Sequence, residues 1–172
     1  MKAEAGGQGT KDTDGIVGDA RGQVRRFCLV RADEVPRLDE LARKLRSLHG
    51  ENTDRIQRPD LLAVLLVSGL DLAEAKATTL VIFPGFGVRF EYRLKLDDVA
   101  RAMRLVRTLW PAPKGRPTQG YAYGALIRLA LQAAESDTGF ESELASRLLA
   151  AIELVQILVC YRVSHSCMTG SE

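Results

Sequence analysis

Disulfide frameworks, metal sites and cofactor motifs are missing from this sequence. Three cysteines in 172 residues (Cys28, Cys160 and Cys167) show neither pairing nor zinc-ligand spacing. An odd number of cysteines in a chain without a signal peptide predicts reduced thiols and a cytoplasmic location. The two histidines, His49 and His165, lack cysteine or carboxylate neighbours at metal-ligand spacing. We therefore expect neither a metal nor a cofactor.

Catalytic and membrane-spanning patterns are also absent. No glycine-rich phosphate-binding motif follows a strand. The acidic pairs Asp33-Glu34 and Asp97-Asp98 open predicted helices, where acidic side chains favour the helix dipole. The apolar stretch 148–163 is interrupted by Glu153 and Gln156, which argues against a membrane span. The sequence therefore predicts a protein that is not an enzyme, has no catalytic residues and does not insert into membranes.

Positive charge is concentrated in the middle of the chain. The net charge is +2, but residues 23–135 hold 19 Lys or Arg and 13 Asp or Glu. The segments on either side are net negative. This distribution favours a polyanionic partner for residues 23–135.

A strand-to-helix pattern occurs twice, 64 residues apart. The segments are VRRFCLVRADEVPRLDELARKL (24–45) and VRFEYRLKLDDVARAMRLVRTL (88–109). Each begins with period-two alternation, continues with helical spacing and leads to a second, strongly apolar helix at 58–75 or 118–136. A repeat of this size cannot bury its own apolar face, so the two copies should bury each other.

The domain prediction follows from this repeat. Residues 1–22 are expected to be a flexible tail, and residues 23–136 one domain with units 23–76 and 87–136. A C-terminal helix at 137–163, opened by a capping box from Thr138 to Glu141, precedes a polar tail at 164–172.

The strands 24–30 and 88–95 should pair antiparallel, with four helices on one face, because a lone strand is unstable. At the register set by Val30, the first strand points Arg25, Phe27 and Leu29 outward. A one-residue slip would point Arg26 outward instead. A second alternative pairs residues 78–83 with 88–94 as a hairpin through the turn 84–87. The outward residues of the second strand are Arg89, Glu91 and Arg93.

A two-stranded ribbon fits the major groove of B-DNA, so the sequence predicts a double-stranded DNA partner. The candidate base-contacting residues share the outer face of the ribbon: Arg25, Phe27, Arg89, Glu91 and Arg93. The candidate phosphate-contacting residues lie at or just before the second helix of each unit: Arg55, Arg58, Lys114, Arg116 and Thr118.

The segments VRADEVPRLDELARKL and RPDLLAVLLVSGL resemble the strand, first helix and second helix of ribbon-helix-helix DNA-binding proteins. The resemblance covers residues 24–136. Two units in one chain resemble a rarer tandem group, which includes overdrive-binding virulence proteins of T-DNA transfer systems. It implies a mostly helical α+β fold, a tandem ribbon-helix-helix, and an accessory role beside other DNA-processing proteins in conjugative or T-DNA-type transfer.

The sequence is also compatible with two other functions. The first is a plasmid or chromosomal transcription repressor, which would also bind DNA. The second is a helical protein-protein interaction module without DNA binding, whose C-terminal helix would serve for docking or self-association.

Overall fold

A computed structural model of the protein describes residues 22–48, 56–76, 80–82, 87–111 and 117–152. The predicted tails, except Gly22, and the candidate phosphate contacts Arg55, Lys114 and Arg116 lie outside these residues. Among the described helices, none combines the length and the apolar character that crossing a bilayer requires.

The two repeated strands pair with each other. β1 (Gln23–Arg31) and β2 (Gly87–Lys95) form a two-stranded antiparallel ribbon, in which Phe27 lies opposite Glu91 and Cys28 opposite Phe90. Residues 80–82 are not part of a strand, and the partner of β2 is β1. The predicted antiparallel pairing is therefore confirmed, and the alternative hairpin is wrong for the residues described.

Each strand leads into a pair of helices. β1 continues through a 3-10 turn (Ala32–Glu34) into α1 (Val35–Leu48), and β2 leads directly into α3 (Leu96–Leu109). The second helices are α2 (Arg58–Lys76) and α4 (Gln119–Ser136), close to the predicted bounds. A fifth helix, α5, begins at residue 138 and is described as far as residue 152. This is a mostly helical α+β fold, while the tandem ribbon-helix-helix identification stays a prediction.

The start of α5 differs from the predicted capping box. The Asp137 side chain accepts hydrogen bonds from the backbone N–H groups of Gly139 (2.8 Å) and Phe140 (3.4 Å), so Asp137 is the N-cap. Glu141 is buried and its carboxylate pairs with Lys44 of α1. The predicted N-cap at Thr138 is therefore wrong by one residue, and Glu141 contacts another helix instead of closing a capping box.

The core is centred on α2 and α4, which cross closely. A Cβ atom at Gly69 of α2 would overlap the backbone oxygen of Leu126 in α4, so only glycine permits this approach. Both helices are apolar nearly all round, so each must be surrounded by protein. α4 packs against β1, and α2 packs against β2. Each second helix thus covers the strand of the other unit.

Within the ribbon, the 64-residue repeat offset relates the two strands by a local pseudo-twofold axis. Phe27 and Glu91 are equivalent in the repeat and are also cross-strand partners. The axis must therefore pass between them. On either side, Arg25 faces Arg93 and Leu29 faces Arg89, and the offset exchanges these two pairs.

α5 packs on the protein's own core as far as residue 152. Leu144, Ala145 and Leu148 are buried in the main cluster. Arg147 donates to Asp71 of α2 (2.5 Å), and Arg101 of α3 donates to the same carboxylate (2.7 Å). Residues 138–152 of the helix predicted for self-association therefore pack against the core of their own chain.

Candidate nucleic-acid interface

The outer face of the ribbon is the most cationic surface that the strands define. It comprises the ten odd-numbered residues of β1 and β2, among which five are cationic and one, Glu91, is acidic. All five predicted base-contacting residues lie here, and Arg25, Phe27, Arg89, Glu91 and Arg93 are each exposed. The balance of +4 on this face exceeds the net charge of +2 for the whole chain.

The register of β1 follows from its burial pattern. Val24, Cys28 and Val30 are buried, whereas Arg25 and Phe27 are exposed. Arg26 lies on the helix side opposite Tyr92. Burial raises the pKa of the Tyr92 hydroxyl, and the nearby Arg26 charge opposes that shift. The burial pattern therefore confirms the predicted register of β1. The one-residue slip, which would point Arg26 outward, is wrong.

Two equivalent arginines on this face have different partners. Arg25 forms an ion pair with Glu91 across the ribbon. Arg89 occupies the twofold-related position, and its guanidinium carbon lies 4.3 Å from the centre of the Phe27 ring. Arg89 also donates to the Glu91 carboxylate on its own strand (3.2 Å). The axis therefore relates an arginine–carboxylate pair to an arginine–aromatic stack.

These contacts orient side chains more than they stabilise the fold. The side chains of Arg25 and Glu91 are 78% and 39% exposed, and exposed ion pairs contribute only about 0–1 kcal/mol. A guanidinium that stacks on an aromatic ring still has its N–H donors free in its own plane, where they can form two hydrogen bonds to one base. The ribbon thus presents oriented arginines at its centre.

The N-termini of α2 and α4 are equivalent in backbone geometry. The Thr118 carbonyl accepts from the N–H groups of Tyr121 and Ala122, both at 3.1 Å. The Gln57 carbonyl likewise accepts from Asp60 (3.1 Å) and Leu61 (3.2 Å). Thr118 therefore corresponds to Gln57.

The two predicted phosphate contacts at these N-termini differ in their surroundings. Arg58, the first residue of α2, pairs with Asp39, and its guanidinium lies 5.2 Å from the Phe90 ring centre. Thr118 is exposed and makes no side-chain capping bond. The side chain of Thr118 therefore makes fewer contacts than that of Arg58.

The helix ends approach the ribbon to different extents. A Cβ at Gly124 of α4 would overlap the Leu29 carbonyl oxygen, and one at Gly120 would lie 2.6 Å from Cε2 of Phe27. At the other end, Pro59, Asp60 and Ala63 of α2 line a groove of about 560 Å³ beside Arg93 and Glu91. The two glycines let α4 close on β1, whereas a groove remains between α2 and β2.

Asp60 makes the α2 terminus less suitable for phosphate. It lies in the first turn of α2, while the first turn of α4 has no acidic residue. Burial raises the pKa of the Asp60 carboxyl. A carboxylate at this position would repel a phosphate, so the α4 end is the better anion site.

The described residues include one cysteine, Cys28, and no cluster of metal-ligand side chains. No group of three or more His, Cys, Asp or Glu side chains suited to a metal ion occurs among them. Cys28 is buried at the ribbon centre, and burial raises its thiol pKa to about 12. The thiol therefore stays protonated at neutral pH, as expected of a small core residue.

Sequence reasoning missed the ionic contacts that hold the helices beneath the ribbon. Arg128 of α4 forms a partly buried pair with Glu34, with Nη2 to Oε2 at 3.2 Å. Arg101 of α3 donates to Glu74 of α2 at 3.0 Å. Since these partners lie 94 and 27 residues apart, no helical spacing signals them.

Comparison of the chain with protein-family models, with curated proteins and with solved structures finds no match.

Proposed function

We propose that this protein binds double-stranded DNA with the outer face of its ribbon in the major groove. One observation carries the proposal: the ten residues of the outer face of the ribbon, six of them exposed, include five cations and one anion. Phosphate attraction gives affinity, and arginines within reach of guanine O6 and N7 give selectivity.

The dimensions support this docking mode. Paired strands lie about 4.8 Å apart, and the major groove is about 12 Å wide, so a two-stranded ribbon fits with room for its side chains. Each strand has nine residues and spans roughly 30 Å, enough to follow the groove over several base pairs.

The ends of the ribbon should contact the DNA backbone unequally. The α4 N-terminus, with Thr118, Gln119 and Gly120, offers backbone N–H groups without a neighbouring acid. The α2 N-terminus carries Asp60, and its Arg58 is paired with Asp39. We expect the stronger phosphate contact at α4, and an asymmetric site rather than a palindrome.

The biological role proposed from the resemblance is that of an accessory factor in conjugative or T-DNA-type transfer, next to other DNA-processing proteins. A plasmid or chromosomal repressor would use the same ribbon. The interaction module without DNA binding has less support, because the described part of α5 buries Leu144 and Leu148 in its own core.

The test is binding of a mixed-sequence duplex by the intact chain at several salt concentrations. Log affinity should fall with log salt at a slope of about −0.9 per phosphate contact. Arg89→Ala and Arg93→Ala should weaken binding, whereas Arg43→Ala, an exposed arginine of α1 paired with Glu40, should have little effect. Absence of binding at low salt, or equal losses in all three variants, would contradict the proposal.

A further inference from the structure

We infer that Arg89 and Phe27 form one reading element for a guanine next to a pyrimidine with a C5 methyl group, either thymine or 5-methylcytosine. The inference rests on the proposed function and specifies the DNA that the ribbon prefers. It starts from the stack of the Arg89 guanidinium on the Phe27 ring, at 4.3 Å.

The stacking distance matches the spacing of base pairs. An arginine that reads guanine places its guanidinium in the plane of the base, donating to O6 and N7. Successive base pairs of B-DNA are about 3.4 Å apart along the helix axis. A ring 4.3 Å from that guanidinium therefore lies near the level of the neighbouring base pair. The apolar group that a base pair presents there is the C5 methyl of a pyrimidine.

The position of the Phe27 ring is limited on one side by α4. A Cβ at Gly120 would lie 2.6 Å from Cε2 of the ring, so the first turn of α4 is in close contact with one ring edge. The residue is nevertheless 37% exposed, which leaves apolar surface outside the core. A DNA methyl group would cover part of this surface.

The twofold-related pair on the ribbon, Arg25 and Glu91, has a charged group where the first pair has an apolar ring. There Arg25 pairs with Glu91, so a carboxylate takes the place of the ring. A carboxylate does not favour a methyl group, but it can accept a hydrogen bond from the cytosine N4 amino group. Methyl recognition should therefore occur in one half of the site only, which gives the bound protein a single orientation.

The experiment uses a duplex selected from a random library by the intact protein, and the same duplex with uracil in place of each thymine. Wild-type protein should bind the uracil version about fourfold more weakly, as expected from loss of one buried methyl. Where the neighbouring pyrimidine is cytosine, C5 methylation should strengthen binding about fourfold. Phe27→Ala should bind both versions equally, whereas Leu48→Ala, an exposed leucine on α1, should keep the wild-type ratio.

The outcomes separate this inference from the proposed function. If wild type binds DNA but does not distinguish thymine from uracil, or if Phe27→Ala keeps the ratio, the inference is overturned and the proposed function stands. If wild type binds no duplex at low salt, the proposed function is overturned and the inference with it. Circular dichroism of Phe27→Ala, which alters a surface residue, checks that the variant is folded.

Discussion

Glu91 lies at the pseudo-twofold axis and contacts both equivalent arginines. It pairs with Arg25 across the ribbon and accepts from Arg89 on its own strand. Its charge would oppose the approach of DNA phosphates, yet it orients the two arginines for which we propose base contacts. At the residue scale, Glu91 should limit binding to DNA of any sequence and thereby improve discrimination.

We therefore predict that Glu91→Gln strengthens binding to mixed-sequence DNA and reduces the preference for a selected site. Because one negative charge is removed, the dependence of log affinity on log salt should steepen by up to about one unit. Fluorescence anisotropy titrations at several salt concentrations measure both quantities. Glu40→Gln is the matched control, since Glu40 is an exposed carboxylate paired with Arg43 on α1. Unchanged affinity in Glu91→Gln would refute this role.

At the scale of elements, the position of α4 against β1 depends on Gly124. A Cβ there would overlap the backbone oxygen of Leu29, which cannot move without shifting the strand. At Gly120, a Cβ would instead meet the ring of Phe27, which is a side chain and can rotate. The two glycines lie one helical turn apart and thus form a matched pair.

We predict that Gly124→Ala lowers the free energy of unfolding by about 1–3 kcal/mol, the usual cost of overpacking a core contact. Gly120→Ala should lower it less, because only the ring moves. Urea denaturation followed by circular dichroism gives both values. Equal stability of the two variants would mean that the helix-to-strand approach is looser than described.

α5 is attached to the domain through Asp71. This carboxylate accepts from Arg147 of α5 and from Arg101 of α3. Asp71→Asn should therefore destabilise the fold modestly, by about 1 kcal/mol, because the group is 37% exposed and solvent screens the pairs. Thermal unfolding measures the loss. Asp39→Asn, which affects one exposed pair with Arg58, should cost less.

At the scale of the whole molecule, acid should weaken the packing between helices. Burial of Asp71 opposes ionisation, but hydrogen bonds from Arg147 and Arg101 outweigh it and lower its pKa. The hydrogen bond from Arg101 likewise lowers the pKa of Glu74. A lowered pKa stabilises the fold above the ordinary carboxyl pKa of about 4, and this contribution is lost as the pH falls through the lowered value.

We therefore predict that the melting temperature falls between about pH 5 and pH 2, and falls less steeply in Asp71→Asn. Asp60 and Asp98 act in the opposite direction, because burial raises their pKa and protonation relieves an unfavourable charge. A pH series of thermal melts of both proteins tests this. Parallel curves would show that Asp71 does not contribute.

The order of the strands and helices and the pairing of the strands could be predicted because the signals were periodic. Alternation in 24–30 and 88–95 predicted the strands, and the 64-residue repeat predicted their pairing. Contacts between residues that are distant in sequence leave no such periodic signal. The N-cap of α5 is Asp137, Glu141 pairs with Lys44 of α1, and Gly124 marks a contact with a strand distant in sequence. The Arg89–Phe27 stack required the cross-strand register before it could be identified.

Methylation interference on a duplex selected by the protein shows whether the ribbon enters the major groove. Dimethyl sulfate methylates guanine at N7 in the major groove and adenine at N3 in the minor groove. We predict that guanine N7 methylation near the centre of the site blocks binding, and that Arg89→Ala loses one of these positions. Interference at adenine N3 alone would contradict it.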